Sequence, residues 1–261
     1  MSSIRTSCYR GFATQTLRNV LVSAPSVFWV QQGVKVLHTA RGEPSDTTRV
    51  ADDQHLLLVP ARTRLQFANQ PRQGEFVAQQ LMLLSPVKPS LLALSDRVTG
   101  FVPPLLTMTA ALRQLCLLSL EPHSAAMQQQ IAALWQQQLA EVGALRYVFS
   151  AAQASVSEQL QQLFASNPAA DHQIEPHAAM LGMSRATLIR RLHAEGTTFR
   201  QLLRDCRMNH ALALLQQGQS LLLLPSACGY DSEARFRLRF VDHFGITPQA
   251  YVATLQPAKA C

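Results

Sequence analysis

Cysteine is scarce in this sequence, and its placement excludes the usual structural uses of the residue. The five cysteines are widely spread, and none stands in a C-x-x-C pair. An odd number of isolated cysteines supports neither a disulfide framework nor a zinc site. We therefore expect a protein of a reducing compartment, the cytoplasm. The cysteines are Cys8, Cys116, Cys206, Cys228 and Cys261.

Long apolar runs are also missing. Arg5 and Arg10 give the N-terminus the charge of a signal peptide, but Asn19, Ser23 and Pro25 interrupt the apolar stretch that should follow. No run of 18 apolar residues occurs anywhere. We expect neither a signal peptide nor a membrane-spanning helix.

Catalytic motifs are absent as well. The sequence contains no P-loop, no G-x-G-x-x-G and no recognisable pair of nucleophile and base. In the strand-rich first half, His38 and His55 are far apart and lack the H-x-H spacing of a metal site. We interpret them as ordinary strand histidines. The sequence predicts a protein that is not an enzyme and that uses no cofactor and no metal.

Basic residues outnumber acidic ones, but the excess is not concentrated in one half. The formal net charge is +7, from 23 Lys and Arg against 16 Asp and Glu. Residues 1–150 hold 13 basic and 8 acidic residues, and residues 151–261 hold 10 and 8. Net charge therefore does not locate a nucleic-acid surface, and only the placement of individual arginines can do so.

Residues 26–94 have the texture of short strands. Apolar and β-branched runs such as SVFWVQQ, HLLLVPA and EFVAQQLMLL alternate with Gly, Pro and charged breaks, among them residues 41–44. This spacing predicts a small β-barrel or sandwich. Trp29, Arg62 and Arg64 can line a ligand pocket there as an aromatic wall with charged anchors. The two arginines alternate along a strand and can equally face water.

Residues 103–120 and 124–149 have helical patterns. In the second, apolar residues recur at steps of three and four, with glutamines on the other face. Such a stripe is typical of a helix that packs on a core. Further along, residues 175–193 predict a short helix, a turn at Gly182 and a second, basic helix capped by Ser184.

A basic amphipathic helix is predicted within residues 229–251, GYDSEARFRLRFVDHFGITPQAY. Ser232 is its expected N-cap and Gly245 its expected C-cap. Three phenylalanines at four-residue steps form one apolar stripe, and the opposite face is basic. A buried back and a basic front are what a DNA-recognition helix needs. The stripe is Phe236, Phe240 and Phe244.

These stretches resemble the AraC/XylS family of bacterial transcription regulators. The three spaced phenylalanines, followed by Gly, Thr-Pro and Tyr, are similar to the C-terminal family signature, and LGMSRATLIRRL is similar to its first helix-turn-helix. The resemblance covers residues 175–251. It implies binding to double-stranded DNA by two helix-turn-helix units, which a long helix over residues 198–217 joins. It also implies a cupin-like sensor barrel before them and a homodimer formed through a helical hairpin.

The resemblance also implies which residues meet DNA. Arg190 can form a bidentate contact with guanine, worth about 1–3 kcal/mol of discrimination, or can contact a phosphate instead. We interpret Arg185 and Arg191 as residues that contact the phosphate backbone of DNA. The expected set is Arg185, Ala186, Thr187, Arg190 and Arg191 in the first unit, and Ser232, Ala234, Arg235, Arg237 and Arg239 in the second. Arg200, Arg204 and Arg207 on the joining helix either reach phosphates or form a solvated face.

The second unit departs from the family pattern at two positions. Pro225 stands where a small helix former is usual, and a proline at the fifth helical position costs about 3 kcal/mol or forces the helix to start later. Leu238 stands where the family typically has Arg. We therefore predict that the first unit supplies most sequence discrimination and that the second mainly holds the DNA backbone.

The sequence as a whole predicts an α+β protein of three parts. Residues 1–100 are expected to form the cupin-like small β-barrel, residues 101–150 the helical hairpin, and residues 151–261 an all-α DNA-binding domain that starts near Gln153 and opens with a capped helix, SVSEQLQQLFA. The expected function is sequence-specific transcription regulation on the nucleoid, with activation by contact with RNA polymerase and control by a small-molecule effector. The alternative is a degenerate family member that acts as a protein-interaction module.

Overall fold

The computed structural model describes residues 3–38, 49–149 and 155–257. The chain divides into one unit of Met1–Ala151 and Ala253–Cys261 and a second unit of Ala152–Val252. Strands lie in the first unit and the second is helical, which confirms the α+β class. The turn expected at residues 41–44 and the domain start expected at Gln153 lie outside the described residues.

Two antiparallel sheets form the body of the first unit. The strands found among the described residues are β1 (Ile4–Gly11), β2 (Gln15–Val22), β3 (Ser26–Gln32), β4 (Val34–His38), β5 (Arg49–Ala51), β6 (His55–Val59), β7 (Thr63–Gln70), β8 (Phe76–Leu83) and β9 (Leu105–Thr107). One sheet has the order β1-β8-β3-β6-β9 and the other the order β2-β7-β4-β5. The predicted strand-rich half is therefore confirmed.

Three strands differ from the prediction. β1 and β2 precede the region that was expected to be strand-rich, and β1 has mostly exposed or half-buried polar side chains, so it lacks an apolar run. β9 lies where a helix was predicted from residue 103. It pairs with β6, with Leu106 opposite Leu56, and this partner lies 50 positions away along the chain. Local periodicity cannot reveal such a pairing.

Four helices cover the five-stranded sheet: α1 (Pro89–Ser95), α2 (Ala110–Leu120), α3 (Ala125–Glu141) and α4 (Leu145–Val148). The apolar stripe predicted on α3 points into the core that these helices share with β3, β6 and β8. Trp135 is fully buried there, and its indole N–H donates to Ser119 Oγ at 2.9 Å. Met127 and Leu134 on the same helix remain 47% and 51% exposed.

Seven further helices follow in the described part of the chain: α5 (Val156–Ser166), α6 (Ile174–Met180), α7 (Arg185–Ala194), α8 (Phe199–Gln216), α9 (Leu224–Ala227), α10 (Glu233–Phe244) and α11 (Pro248–Thr254). Helices α5 to α8 share one core, in which Phe164, Leu188 and Leu202 are buried. The predicted phenylalanine stripe of α10 is also buried, with Phe240 and Phe244 in edge contact at 4.8 Å. Within the described ranges no helix is long and apolar enough to cross a bilayer.

Candidate nucleic-acid interface

The first helix-turn-helix consists of α6, a turn and α7. Gly182 adopts φ +66° in the turn, a left-handed conformation that favours glycine. Ser184 caps α7, because its Oγ accepts from the Thr187 amide at 3.2 Å. Leu188 and Leu192 are buried beneath the helix. These contacts fix the angle of α7, so its outer face has a defined set of residues.

That outer face carries the side chains predicted to meet DNA. Ala186, Arg190 and Arg191 are exposed. Arg185 is exposed too, and its guanidinium lies 3.3 Å from the Glu175 carboxylate on α6. Thr187 is half-buried, and its Oγ1 lies 3.0 Å from the cap oxygen of Ser184, so it partly serves the cap.

The joining helix α8 begins at the cap Thr198 and runs for 18 residues, as predicted. Arg200 on it is exposed and Arg204 is half-buried. For Arg207 both predicted alternatives are wrong. Its guanidinium donates to the carbonyl oxygens of Pro168 and Ala170, each at 3.0 Å, so it holds the chain segment that precedes α6. The backbone carbonyls that turn towards it there are not readable from the sequence.

Gly229 lies close to the same guanidinium, in the turn of the second helix-turn-helix. It adopts φ +73°, and a Cβ added at this position would lie 2.8 Å from both the Arg207 guanidinium and the Ala169 carbonyl oxygen. Only glycine fits between these groups without displacing one of them. The Arg207 guanidinium also lies 5.7 Å from the ring of Tyr230. One arginine is therefore packed between the segment before α6 and the turn before α10.

The second helix-turn-helix consists of α9, a turn and α10. Helix α9 begins at Leu224, so Pro225 occupies its first turn, where a proline costs no intrahelical hydrogen bond. Of the two predicted effects of this proline, the later start is the one observed. The preceding leucines are left outside the helix, and Leu222 and Leu223 are 81% and 53% exposed.

Helix α10 has the predicted caps. Ser232 Oγ accepts from the Arg235 amide at 3.3 Å, and Gly245 ends the helix at φ +80°. Because Ser232 is half-buried in this cap, its hydroxyl is less available to DNA than the neighbouring side chains. Leu238 stands among arginines and is 71% exposed. The other predicted contacts are all exposed: Ala234, Arg235, Arg237 and Arg239.

Two acidic side chains of the helical unit that join distant elements were missed from the sequence. Asp205 on α8 is 1% exposed at its side chain and lies 3.8 Å from His243 Nδ1 on α10. Glu195, just after α7, accepts from the amides of Val156 and Ser157 at 3.0 and 2.9 Å and so caps α5. Both carboxylates join elements far apart in sequence, and a local pattern contains no signal for such partners.

The residues predicted to bind a ligand lie in the first unit and in different sheets. Trp29 is buried on β3, and among the described residues its indole nitrogen has no hydrogen-bond partner. Arg64 belongs to β7 in the other sheet, and both arginines are exposed. Arg62 sits in the turn before β7 with φ +64°. Across residues 3–38, 49–149 and 155–257, no three His, Cys, Asp or Glu side chains converge on a metal-sized site.

Lys35 is a polar residue of the first unit that sequence reasoning missed. It lies between the two sheets with only 4% of its surface exposed. Its Nζ donates to Asn69 Oδ1 at 2.6 Å and stands 3.4 Å from the ring centroid of Phe67. Phe28 and Phe76 of the facing sheet are within 6 Å of it. Burial lowers the pKa of this amine to about 7, because the charged form is poorly solvated.

Comparison with known proteins identifies the helical unit. Residues 177–254 match a family model described as a helix-turn-helix domain. The chain is 31% identical over 99 residues to the HTH-type transcriptional regulator AdiY of Escherichia coli K12, covering 38% of this chain and 39% of AdiY. The chain carries a helix-turn-helix domain of the AraC/XylS type. The virulence regulon transcriptional activator VirF of Shigella flexneri is 30% identical to it over 102 residues, or 39% of each chain.

The similarity to these two relatives extends over 99 and 102 residues. The chain spans 39% of the length of AdiY and of VirF. Both are named as regulators of transcription and not as enzymes, which agrees with the expectation from the sequence. Solved structures of ToxT from Vibrio cholerae share the fold of the whole chain. The apo form has a TM-score of 0.66 and the form bound to an unsaturated fatty acid 0.64, each at 15% identity over 98% of this chain and 99% and 97% of ToxT.

Proposed function

We propose that this protein regulates transcription by binding a specific DNA sequence through α7 and α10. The observation that carries the proposal is the arrangement of capping, buried and exposed residues on these two helices. Each has a hydroxyl cap at its start, an apolar back in a core and an arginine-bearing outer face. A helix of this kind can enter the major groove at a fixed angle. The named functions of AdiY and VirF support the same role.

The joining helix α8 supports the use of both units on one DNA molecule. At about 1.5 Å per residue its 18 residues extend about 27 Å. Successive major grooves on one face of DNA lie about 34 Å apart. Helix α7 precedes α8 in the chain and α10 follows it. A rigid helix of this length between two recognition helices suits two neighbouring grooves better than one.

The proposal is tested by measuring duplex affinity against salt. A DNA site selected from random sequence is titrated with the full chain at salt concentrations from about 50 to about 200 mM. We expect the logarithm of the affinity to fall steeply with the logarithm of salt, and a selected site to bind about 10³-fold or more tighter than random duplex. Affinity that is weak and equal for both duplexes would refute sequence-specific binding.

The alternative function, a protein-interaction module, is favoured by one observation. Three leucines of the second helix-turn-helix are exposed to solvent: Leu222 is 81% accessible, Leu223 53% and Leu238 71%. Exposed leucines at this density are typical of a protein contact. The same titration separates the two functions, because a protein-interaction module has no reason to bind the selected duplex more tightly than random duplex at any salt concentration.

We also propose a homodimer through the helical part of the first unit. Leu117 on α2 and Met127 and Leu134 on α3 are 43%, 47% and 51% exposed, whereas Leu115 and Trp135 on the same helices are buried. A second copy would cover them, and a dimer suits DNA sites with repeated halves. Sedimentation of the full chain with Leu134→Glu beside Gln137→Glu, an exchange at a polar position of the same helix, tests this. We expect only Leu134→Glu to produce a monomer.

Control by a small effector and activation through RNA polymerase complete the proposal. One ToxT structure is titled as bound to an unsaturated fatty acid, and VirF is named an activator. In this chain, Lys35 is a buried amine enclosed by aromatic rings, and an acidic head group would suit it. Trp29, Arg62 and Arg64 remain the other candidates. Quenching of tryptophan fluorescence by a fatty acid, compared between the natural chain and Lys35→Met, distinguishes Lys35 from them.

A further inference from the structure

Two histidines before and within α6 face each other through one nitrogen each. His172 Nδ1 lies 3.1 Å from His177 Nε2. The remaining nitrogens point at backbone carbonyls: His172 Nε2 lies 2.8 Å from the Asn167 oxygen, and His177 Nδ1 lies 2.7 Å from the Gln173 oxygen. Every ring nitrogen of the pair is thus engaged, and turning either ring over would break both of its contacts.

The carbonyl contacts fix where the hydrogens of the two rings are. A carbonyl oxygen only accepts, so His172 Nε2 and His177 Nδ1 must both be N–H donors. A neutral imidazole has one N–H, so in the neutral pair His172 Nδ1 and His177 Nε2 both present lone pairs. Two lone pairs at 3.1 Å repel each other unless a positive centre lies between them. The geometry therefore calls for a cation at this point.

We propose that this histidine pair binds a divalent transition-metal ion such as Zn²⁺. Imidazole suits Zn²⁺, Cu²⁺ and Ni²⁺. Two Zn–N bonds of about 2.0–2.1 Å at a tetrahedral angle separate the nitrogens by about 3.3 Å, close to the 3.1 Å observed. Metal-binding histidines almost always donate their other N–H to a carboxylate, a carbonyl or water, and both rings here donate to carbonyls.

The surroundings of the pair hold the rings in place and leave room for water. Phe164 packs edge-on against His172 at 4.8 Å, and Phe199 packs edge-on against His177 at 5.5 Å. His172 also lines a groove of about 600 Å³ between α6, α7 and the start of α8. Because the protein supplies two ligands, water from this groove would complete the coordination. The metal would then connect the segment before α6 to α6 itself, in the first helix-turn-helix.

The test is a calorimetric titration of the full chain with ZnCl₂ in the absence of DNA. We expect one site that His172→Gln and His177→Gln each weaken by about 10- to 100-fold, as loss of a supporting partner already does at metal sites. His193→Gln is the control, since this histidine lines the same groove without belonging to the pair. Equal Zn²⁺ binding by all four proteins, or none by the natural chain, would overturn the proposal.

A second measurement on the natural chain needs no folded variant. In ¹⁵N-labelled protein, Zn²⁺ should shift the resonances of His172 Nδ1 and His177 Nε2 and leave both N–H nitrogens protonated. Spectra that instead show a proton shared between the two rings, unchanged by ZnCl₂, would show that the cation is a proton and that no metal site exists. Because neither readout involves DNA, failure here is distinguishable from failure of the proposed function.

Discussion

Nδ1 of His243 lies 3.8 Å from the Asp205 carboxylate, and both side chains are at least 95% buried. Asp205 belongs to the joining helix α8 and His243 to the second recognition helix α10. This contact, at an ion-pair rather than a hydrogen-bond distance, joins α10 to the helix that connects the two helix-turn-helix units. A polar contact of this kind is costly to leave half made, because the remaining partner stays buried.

Removal of Asp205 should therefore destabilise the helical unit. We expect Asp205→Ala to lower the free energy of unfolding by about 1–3 kcal/mol, the cost of a buried polar group left without its partner. Circular dichroism in a urea titration measures the change. Asp231→Ala, at an exposed position, is the control. Equal stability of the two variants would show that the Asp205 contact contributes nothing.

The arginines of the two recognition helices should differ in their contribution to specificity. Arg190→Ala is expected to reduce the free-energy preference for the selected duplex over random duplex by about 1–3 kcal/mol, the cost of a lost bidentate base contact. Arg235→Ala should weaken both affinities together, as loss of a phosphate contact does. Titrations of selected and random duplexes measure both ratios. A larger loss of specificity for Arg235→Ala would refute the assignment.

Leu238 should contact thymine in the DNA site. It is 71% exposed in the middle of a basic face, and the favourable partner for an aliphatic side chain in the major groove is the thymine methyl group. We expect deoxyuridine in place of one thymine of the second half-site to weaken the natural chain several-fold, and to have no effect on Leu238→Ala. An equal effect on both proteins would show that Leu238 does not read this methyl group.

Lys35 should make the stability of the first unit depend on pH. Its folded pKa of about 7 lies below the unfolded value of about 10.4, so the unfolded chain binds more protons between these values. Stability should therefore rise with pH above 7, by up to about 1.4 kcal/mol per unit, and fall as pH decreases towards 7, with the full cost present below it. Buried Cys116, whose pKa burial raises to about 12, acts in the opposite direction above about pH 8.5.

Tryptophan fluorescence isolates this effect, because Trp29 and Trp135, the two tryptophans of the chain, both belong to the first unit. Urea titrations between about pH 7 and 8.5 should show the rise for the natural chain and for Lys88→Met, an exchange at an exposed position. Lys35→Met should lose it. A slope that survives in Lys35→Met would assign the pH dependence to another group.

The helical unit could be predicted almost residue by residue because its signals are local. Ser184 and Ser232 cap α7 and α10 as predicted, and each cap contact spans only three residues of the chain. The strands were harder. β1 is largely exposed and β9 is defined by its partner β6, so neither has a periodic apolar pattern of its own.

The residues that sequence reasoning missed share a physical reason. Lys35, Glu195 and Arg207 each bind a group between 34 and 39 positions away in the chain. A charged side chain that binds a distant part of its own chain looks the same in sequence as one that only faces water. The exposed arginines of α7 and α10 could be predicted because the buried leucines and phenylalanines of the same helices define the opposite, solvent-exposed face.

The packing of Arg207 means that the two helix-turn-helix units are not interchangeable parts. Its guanidinium donates to the carbonyl oxygens of the segment that precedes the first helix-turn-helix. Gly229, in the second helix-turn-helix, has no side chain that would occupy the same space. Grafting a new recognition helix with a larger residue at 229 would disturb a loop about 60 positions upstream. Anyone who re-engineers the specificity of either unit has to carry this arginine and this glycine along together.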